Sequence, residues 1–364
     1  MDRAPVREGE ILSGRYRIER VLGVGGMGIV VAAMHLQLEQ RVALKFLLPQ
    51  ALVHPDIVER FAREARAAVR IQSEHVARVM DVGALEDGSP FMVIEYLEGR
   101  DLAAVIRSRG PLPIDGAVDY VLQACEAIAE AHRLGIVHRD LKPSNLFLVE
   151  GRGVGAGIVK VLDFGISKTT PLGGASLEAG MTQSASILGS PLYMSPEQMD
   201  SARDVDARTD IWAMGAILYE LLTGTTPFVA DSIPQLCMAI AQRSPQPLRA
   251  SRPDVPAGLE RAILCCLEKD KTKRFASIHE LAIALSKFAP ARSHLSLERI
   301  GALAARATAA HSMTLSIPAS GSGEPRGLVA TRDPRAEGRG STNSAWGSRK
   351  LTLSNRVQGS SQAI

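Results

Sequence analysis

The stretch His138-Arg139-Asp140-Leu141-Lys142-Pro143-Ser144-Asn145 constrains this chain more than any other part of it. Finding His, Arg, Asp, Lys and Asn at those five spacings by chance in 364 residues has odds on the order of one in ten thousand. A short apolar strand at 159–162 then delivers Asp163-Phe164-Gly165, and Ser195-Pro196-Glu197 closes the series thirty residues later. An aspartate at a strand end suits a Mg²⁺ ligand, because that ion takes carboxylates together with substrate phosphate oxygens. The order and spacing of the three blocks leave little room for accident.

Upstream, Gly23-Val24-Gly25-Gly26-Met27-Gly28 is a loop whose glycines let backbone N–H groups approach phosphates without side-chain obstruction. Alone it is a weak signal and equally a plain tight turn. A dinucleotide-binding fold needs a helix directly after such a loop. Here β-branched Ile29-Val30-Val31 follows, so the loop joins two strands. Val42-Ala43-Leu44-Lys45 places a lysine at the end of an apolar strand, where in isolation it would simply be solvated. Glu64 changes that reading. It lies seven residues after Ile57, and seven steps of about 100° return to within about 20° of the same helix face. An unpaired carboxylate on a buried stripe is expensive. An ion pair with Lys45 resolves both oddities.

Residues 16–97 read mostly as strands, interrupted by a helix over 56–71 that Pro55 opens. From about residue 115 helical patterns dominate, at 116–134, 210–223 and 257–268. This order predicts an α+β fold of two lobes with a cleft between them: a small β-rich lobe at 16–97 and a larger helical one at 98–289, after a segment 1–15. Lys+Arg minus Asp+Glu is 42 − 39 = +3, too balanced to argue for a nucleic-acid partner. Residues 291–364 hold ten basic and four acidic side chains, so this segment carries +6. It is rich in Ser, Thr, Gly and Ala, and 290–364 reads as a disordered tail, whose removal from about residue 295 onward should cost little stability. A weak amphipathic helix near Leu295, Ile300 and Leu303 has no evident role. The apolar stretch 211–222 is broken by Glu220 and falls short of the roughly 18 residues of a membrane span. No signal peptide is visible, and Cys125, Cys237, Cys265 and Cys266 form no Cys-x-x-Cys pair. A cytoplasmic protein with reduced thiols is expected.

In these motifs the chain resembles the bacterial eukaryotic-like (Hanks-type) serine/threonine protein kinases, over roughly residues 16 to 288. The resemblance implies the bilobal kinase fold. It also implies transfer of the ATP γ-phosphate to Ser/Thr hydroxyls of proteins with Mg²⁺, or Mn²⁺ in its place. Gly23, Gly25 and Gly28 would cover the phosphates, and Lys45, paired with Glu64, would hold them. Leu22, Val30, Ala43 and Phe147 would enclose the base, with Glu95 and Leu97 as the hinge. Asp140 would orient the substrate hydroxyl and accept its proton, Lys142 would reach the γ-phosphate, and Asn145 and Asp163 would hold the metal. Asp210 reads either as a plain helix N-cap or as an anchor for the loop around Asp140, and Arg274 as a partner of Glu197. Ser190 and Ser195 replace a usual threonine and alanine, and Ser190 keeps the hydroxyl. Thr182 and Ser184 resemble paired autophosphorylation sites, whose phosphates would dock on Arg139. Two other readings stay open. One is a scaffold that binds nucleotide without transferring phosphate. The other is a small-molecule kinase of related fold, whose members lack the Ser195-Pro196-Glu197 segment.

Overall fold

Along residues 28–47 and 90–95 the side-chain period of two sends one set of residues to each face of a sheet. The computed structural model describes residues 6–25, 28–150, 157–164, 191–200 and 204–315. In it, β1 (Ile11–Leu12), β2 (Tyr16–Val24), β3 (Gly28–His35), β4 (Gln40–Leu47), β5 (Val79–Ala84) and β6 (Pro90–Glu95) form one antiparallel sheet in the order β1-β2-β3-β4-β6-β5. Val31, Ala33, Val42, Leu44, Phe46, Phe91 and Val93 share one face and close a core with Leu12 and Tyr16. The opposite face sends Leu47 and Met92 against Phe61 and Ala65 of α2 (Pro55–Arg70), which follows the short α1 (Pro49–Leu52). Lys45 is two residues from Leu47 and pairs in register with Val30 and Met92, so it faces α2. Helix α2 begins with Pro55 at its first position, carries Asp56 in the first turn and ends with Arg70, all favourable to its dipole and caps.

A second small sheet joins β7 (Gly99–Asp101), β8 (Leu146–Val149) and β9 (Ile158–Val161). Around it lie α3 (Leu102–Arg109), α4 (Ile114–Arg133), α5 (Pro196–Asp200), α6 (Arg208–Thr223), α7 (Ile233–Gln242), α8 (Leu248–Ser251), α9 (Ala257–Cys266) and α10 (Ile278–Ser286). Asp101 caps α3 by accepting from Ala104 N at 2.8 Å. Helix α6 is buried on nearly every side and forms the centre of this lobe's core with α4, α9 and α10. At Gly215 a Cβ would fall 2.4 Å from Cys266 Cβ, so α6 and α9 cross at a distance that only glycine permits. Cys266 is core as expected, whereas Cys265 is only half-buried. Among the described residues no helix is long and apolar enough to cross a membrane.

The expectation of a disordered tail from residue 290 is corrected over 290–307. A turn at Ala291–Ser293 leads into α11 (His294–Leu315), which packs on α4 with Ile300 fully buried. Arg292 Nε donates to Asp119 Oδ2 at 2.9 Å and Ser293 Oγ donates to Asp119 Oδ1 at 2.5 Å. Arg299 Nη1 donates to Glu126 Oε1 at 3.1 Å. Asp119 and Glu126 are buried on α4, so residues 291–307 dock by neutralising carboxylates as well as by burying Ile300, and a hydrophobicity reading passes the ionic part over. Residues 316–364 lie outside the described residues. Ending the chain at residue 289 therefore orphans two buried carboxylates, and breaking such a pair costs about 3–5 kcal/mol. The expected result is a clearly lower urea midpoint for that truncation, with a chain ending at residue 315 holding the full-length value.

Candidate active site

Between the six-stranded sheet and the smaller one lies a cavity of about 240 Å³. Leu22, Gly23, Val30 and Ala43 line it from the large sheet, Glu95 and Leu97 from the chain leaving β6, and Phe147 from β8. Lys45, Glu64 and Asp163 line it as well. Gly25 and Gly28 do not line the cavity; they close the turn beside it. Gly25 N donates to Gly28 O at 2.8 Å, and a Cβ on Gly28 would fall 2.5 Å from Phe46 O. Val76, Val79, Met92 and Ile94 add to the wall and were not singled out in the sequence. For Met92 and Ile94 a signal existed, since alternate residues of one strand share a face.

Lys45 Nζ lies 2.8 Å from Glu64 Oε1 and 2.7 Å from Asp163 Oδ1. Burial by itself would lower the Lys45 ammonium, but the Asp163 and Glu64 carboxylates outweigh it and hold the group above its ordinary value. Lys45 is therefore a fixed cation joining α2 to the strand end at β9. Asp163 has φ 47° and Arg139 φ 65°, left-handed conformations that cost non-glycine residues about 1–2 kcal/mol and persist only where neighbours hold them.

Asp210 supplies much of that hold. The N-cap of α6 is Ala207, so Asp210 sits inside the first turn and the plain-cap reading is corrected. Its buried carboxylate accepts from His138 N and Arg139 N, both at 2.9 Å, and from His132 Nε2 at 2.7 Å. Burial would raise this carboxyl, but the His132 hydrogen bond and charge, with His138 and the Arg139 amide, keep it below the ordinary range. His138 Nε2 lies 3.1 Å from Leu162 O, which can only accept, so Nε2 carries the proton. Nδ1 then accepts from Asp140 N at 3.3 Å, and burial pushes the ring's pKa down, which favours this neutral tautomer. The same ring packs on Phe164 with centroids 4.8 Å apart. His138 thus ties the Asp140 loop to the residues on both sides of Asp163. Within that loop Lys142 Nζ lies 3.0 Å from Asp140 Oδ2, and Asn145 Nδ2 donates to Asp140 O at 2.8 Å.

Below this loop Arg274 makes a two-pronged pair with Glu197, at 2.6 and 2.8 Å, and Thr209 Oγ1 donates to Glu197 Oε1 at 2.9 Å. Gln198, not picked out in the sequence, donates from Nε2 to Arg139 O at 2.9 Å and links α5 to the loop. Thr182, Ser184 and Ser190 lie outside the described residues. Burial would raise the Glu197 carboxyl, but the Arg274 hydrogen bonds and charge hold it below its ordinary value near 4.5. A depressed folded-state value means stability that is present above the ordinary value and lost as pH falls through the folded one. Glu197→Gln should therefore flatten the acid limb of a urea-midpoint profile below about pH 4.5, at the expense of stability near neutrality.

A β-rich lobe and a helical lobe, with a lysine–glutamate pair in the cavity and a charged loop anchored beneath it, define a protein kinase domain. Residues 16–284 match the family described as protein kinase domain, and the chain belongs to it. Pkn1 of Myxococcus xanthus, a serine/threonine-protein kinase, is 40% identical over 287 residues, covering 78% of this chain and 40% of that protein. PknB of Mycobacterium tuberculosis, also a serine/threonine-protein kinase, is 34% identical over 273 residues, covering 74% of this chain and 42% of that protein. The chain spans about two-fifths of the length of these relatives. The crystal structure of the PknI kinase domain of Mycobacterium tuberculosis superposes with a TM-score of 0.59 at 28% identity, covering 78% of this chain and 100% of that one.

Proposed function

We propose that this chain is an ATP-dependent protein kinase that phosphorylates serine and threonine hydroxyls of protein substrates, itself among them, in the cytoplasm. One observation carries the reading: His138 couples the Lys45–Glu64–Asp163 cluster in the cavity to the Asp140–Lys142–Asn145 loop. The cavity's apolar walls suit a purine, and Lys45 suits its phosphates. A substrate hydroxyl oxygen bonds to the γ-phosphorus while the bond to the bridging oxygen breaks and its electrons leave with ADP. The hydroxyl proton goes to the Asp140 carboxylate. Lys142, beside Asp140, sets a positive charge where the moving phosphoryl oxygens carry negative charge. Asp163 offers a carboxylate, and Asn145, its Nδ2 held by Asp140 O, offers its amide oxygen. That hard oxygen pair fits Mg²⁺, with Mn²⁺ as a substitute, and the ion when bound neutralises phosphate charge. The test is incubation of the purified chain with γ-labelled ATP, Mg²⁺ and a mixed protein acceptor. Label in phosphoserine and phosphothreonine supports the proposal, and binding of ATP without transfer would leave the scaffold reading in its place.

The same reading includes a switch. A phosphate of about −1.5 to −2 charge on Thr182 or Ser184 would dock on Arg139, whose backbone Asp210 and Gln198 already grip. Thr182→Ala/Ser184→Ala should then lose about tenfold or more in activity, measured beside phosphosite mapping by mass spectrometry. Full activity with an unphosphorylated segment would end this part of the proposal.

A further inference from the structure

Glu64 must stay within reach of Lys45, so whatever fixes the C-terminal end of α2 governs the pair. That end is tied to the helical lobe. Gln72 N donates to Glu130 Oε1 at 3.1 Å, and Ala77 N donates to Val161 O at 3.0 Å. His75 Nδ1 lies 2.8 Å from Val159 O and must donate, since a carbonyl only accepts. His75 Nε2 lies 3.4 Å from Glu126 Oε2. Glu126 is buried, and its Oε2 has no hydrogen-bond partner among the described residues. A buried carboxylate needs a cation nearby. Arg299 of α11 provides it, since its Nη1 is bonded both to Glu126 Oε1 and to Glu74. Glu74, His75 and Glu126 have the donor set of a cation site, but this guanidinium already engages both carboxylates. Arg299 lies beyond residues 16–284 that the family model covers.

We infer that Arg299 is a positioning residue: from outside the matched family segment it clamps the connection between α2 and β5 and thereby keeps Glu64 on Lys45. The inference rests on the kinase reading above. Glu64 lies eight residues before Gln72, about 12 Å along the helix axis. A tilt of about 10° at that pivot carries Glu64 roughly 2 Å, enough to break a bond now 2.8 Å long. Arg292 docks the same helix elsewhere, on Asp119, and serves as the control for loosened packing.

The experiment compares full-length Arg299→Ala, Arg299→Lys and Arg292→Ala for kcat, KM for ATP and amide hydrogen exchange over residues 62–78. Arg299→Ala should lower kcat about tenfold, shift KM less than about threefold and speed exchange over 62–78. Arg299→Lys, which keeps the charge, should recover much of the lost rate, and Arg292→Ala should stay within about twofold in kcat. If Arg299→Ala does not fold, Glu126→Gln/Arg299→Gln removes both charges together, orphans no buried carboxylate and carries the same expected loss. Unchanged kcat and exchange in Arg299→Ala, or an equal loss in Arg292→Ala, overturns the clamp. A wild-type chain that transfers no phosphate sinks the kinase reading alone. The exchange data then decide the clamp, and unchanged protection in Arg299→Ala overturns it.

Discussion

Asp140→Asn should lower kcat by about 10²–10⁴-fold while the fold and the affinity for ATP stay close to wild type. The substitution changes little but charge and basicity. An asparagine oxygen can still accept from Lys142 Nζ, now 3.0 Å from Asp140 Oδ2, and the shorter Asn145 bond, 2.8 Å to the main-chain oxygen, is untouched, although the 3.5 Å one to Oδ2 is put at stake. What disappears is the carboxylate to which the proposed reaction sends the hydroxyl proton. Lys45→Met is the instructive contrast. It removes the cation shared by Glu64 and Asp163, leaves a largely buried carboxylate unpaired, and should weaken ATP binding as well as turnover. Steady-state kinetics beside calorimetric ATP titration separates the two patterns. Near-normal turnover in Asp140→Asn would remove this residue from the chemistry.

Asp210→Ala should damage both stability and rate, although Asp210 is a positioning residue and touches no substrate. Its carboxylate is the acceptor for two backbone amides of the Asp140 loop and for His132. Deleting it orphans those donors in a buried place, at about 1–3 kcal/mol each before relaxation. It also releases Arg139 from its left-handed backbone, so Asp140 loses its aim. A misplacement of about 1 Å costs on the order of 100-fold in rate, and the expected result is at least that loss with a markedly lower urea midpoint. Asp210→Asn keeps one oxygen for one of the two amides and should fall between. An Asp210→Ala protein with normal kcat would show that the loop holds itself.

The helical arithmetic from Ile57 to Glu64 and the lysine at the end of an apolar strand anticipate the ion pair between α2 and the sheet, now seen at 2.8 Å. Both are local patterns, and a window of a few residues contains all the information they need. The cavity residues Leu22, Val30, Ala43 and Phe147 were legible in another way, through motif spacing and resemblance. Asp210 was half legible: its link to the loop was anticipated, but its place inside the helix turn depended on where Ala207 ended the preceding chain. Gln198, reaching Arg139 O across 59 residues, left no sequence signal.

The amino-acid sequence by itself determined the strand and helix periods and the order of the two lobes, because each is written in neighbouring residues. Only the tertiary structure decided that residues 290–307 belong to the folded body. Arg292 meets Asp119 across 173 positions, and Arg299 meets Glu126 across another 173. Such pairings depend on which buried carboxylates α4 leaves without a cation once the lobe has packed. Composition counts charges, but it cannot say which of them water will no longer reach.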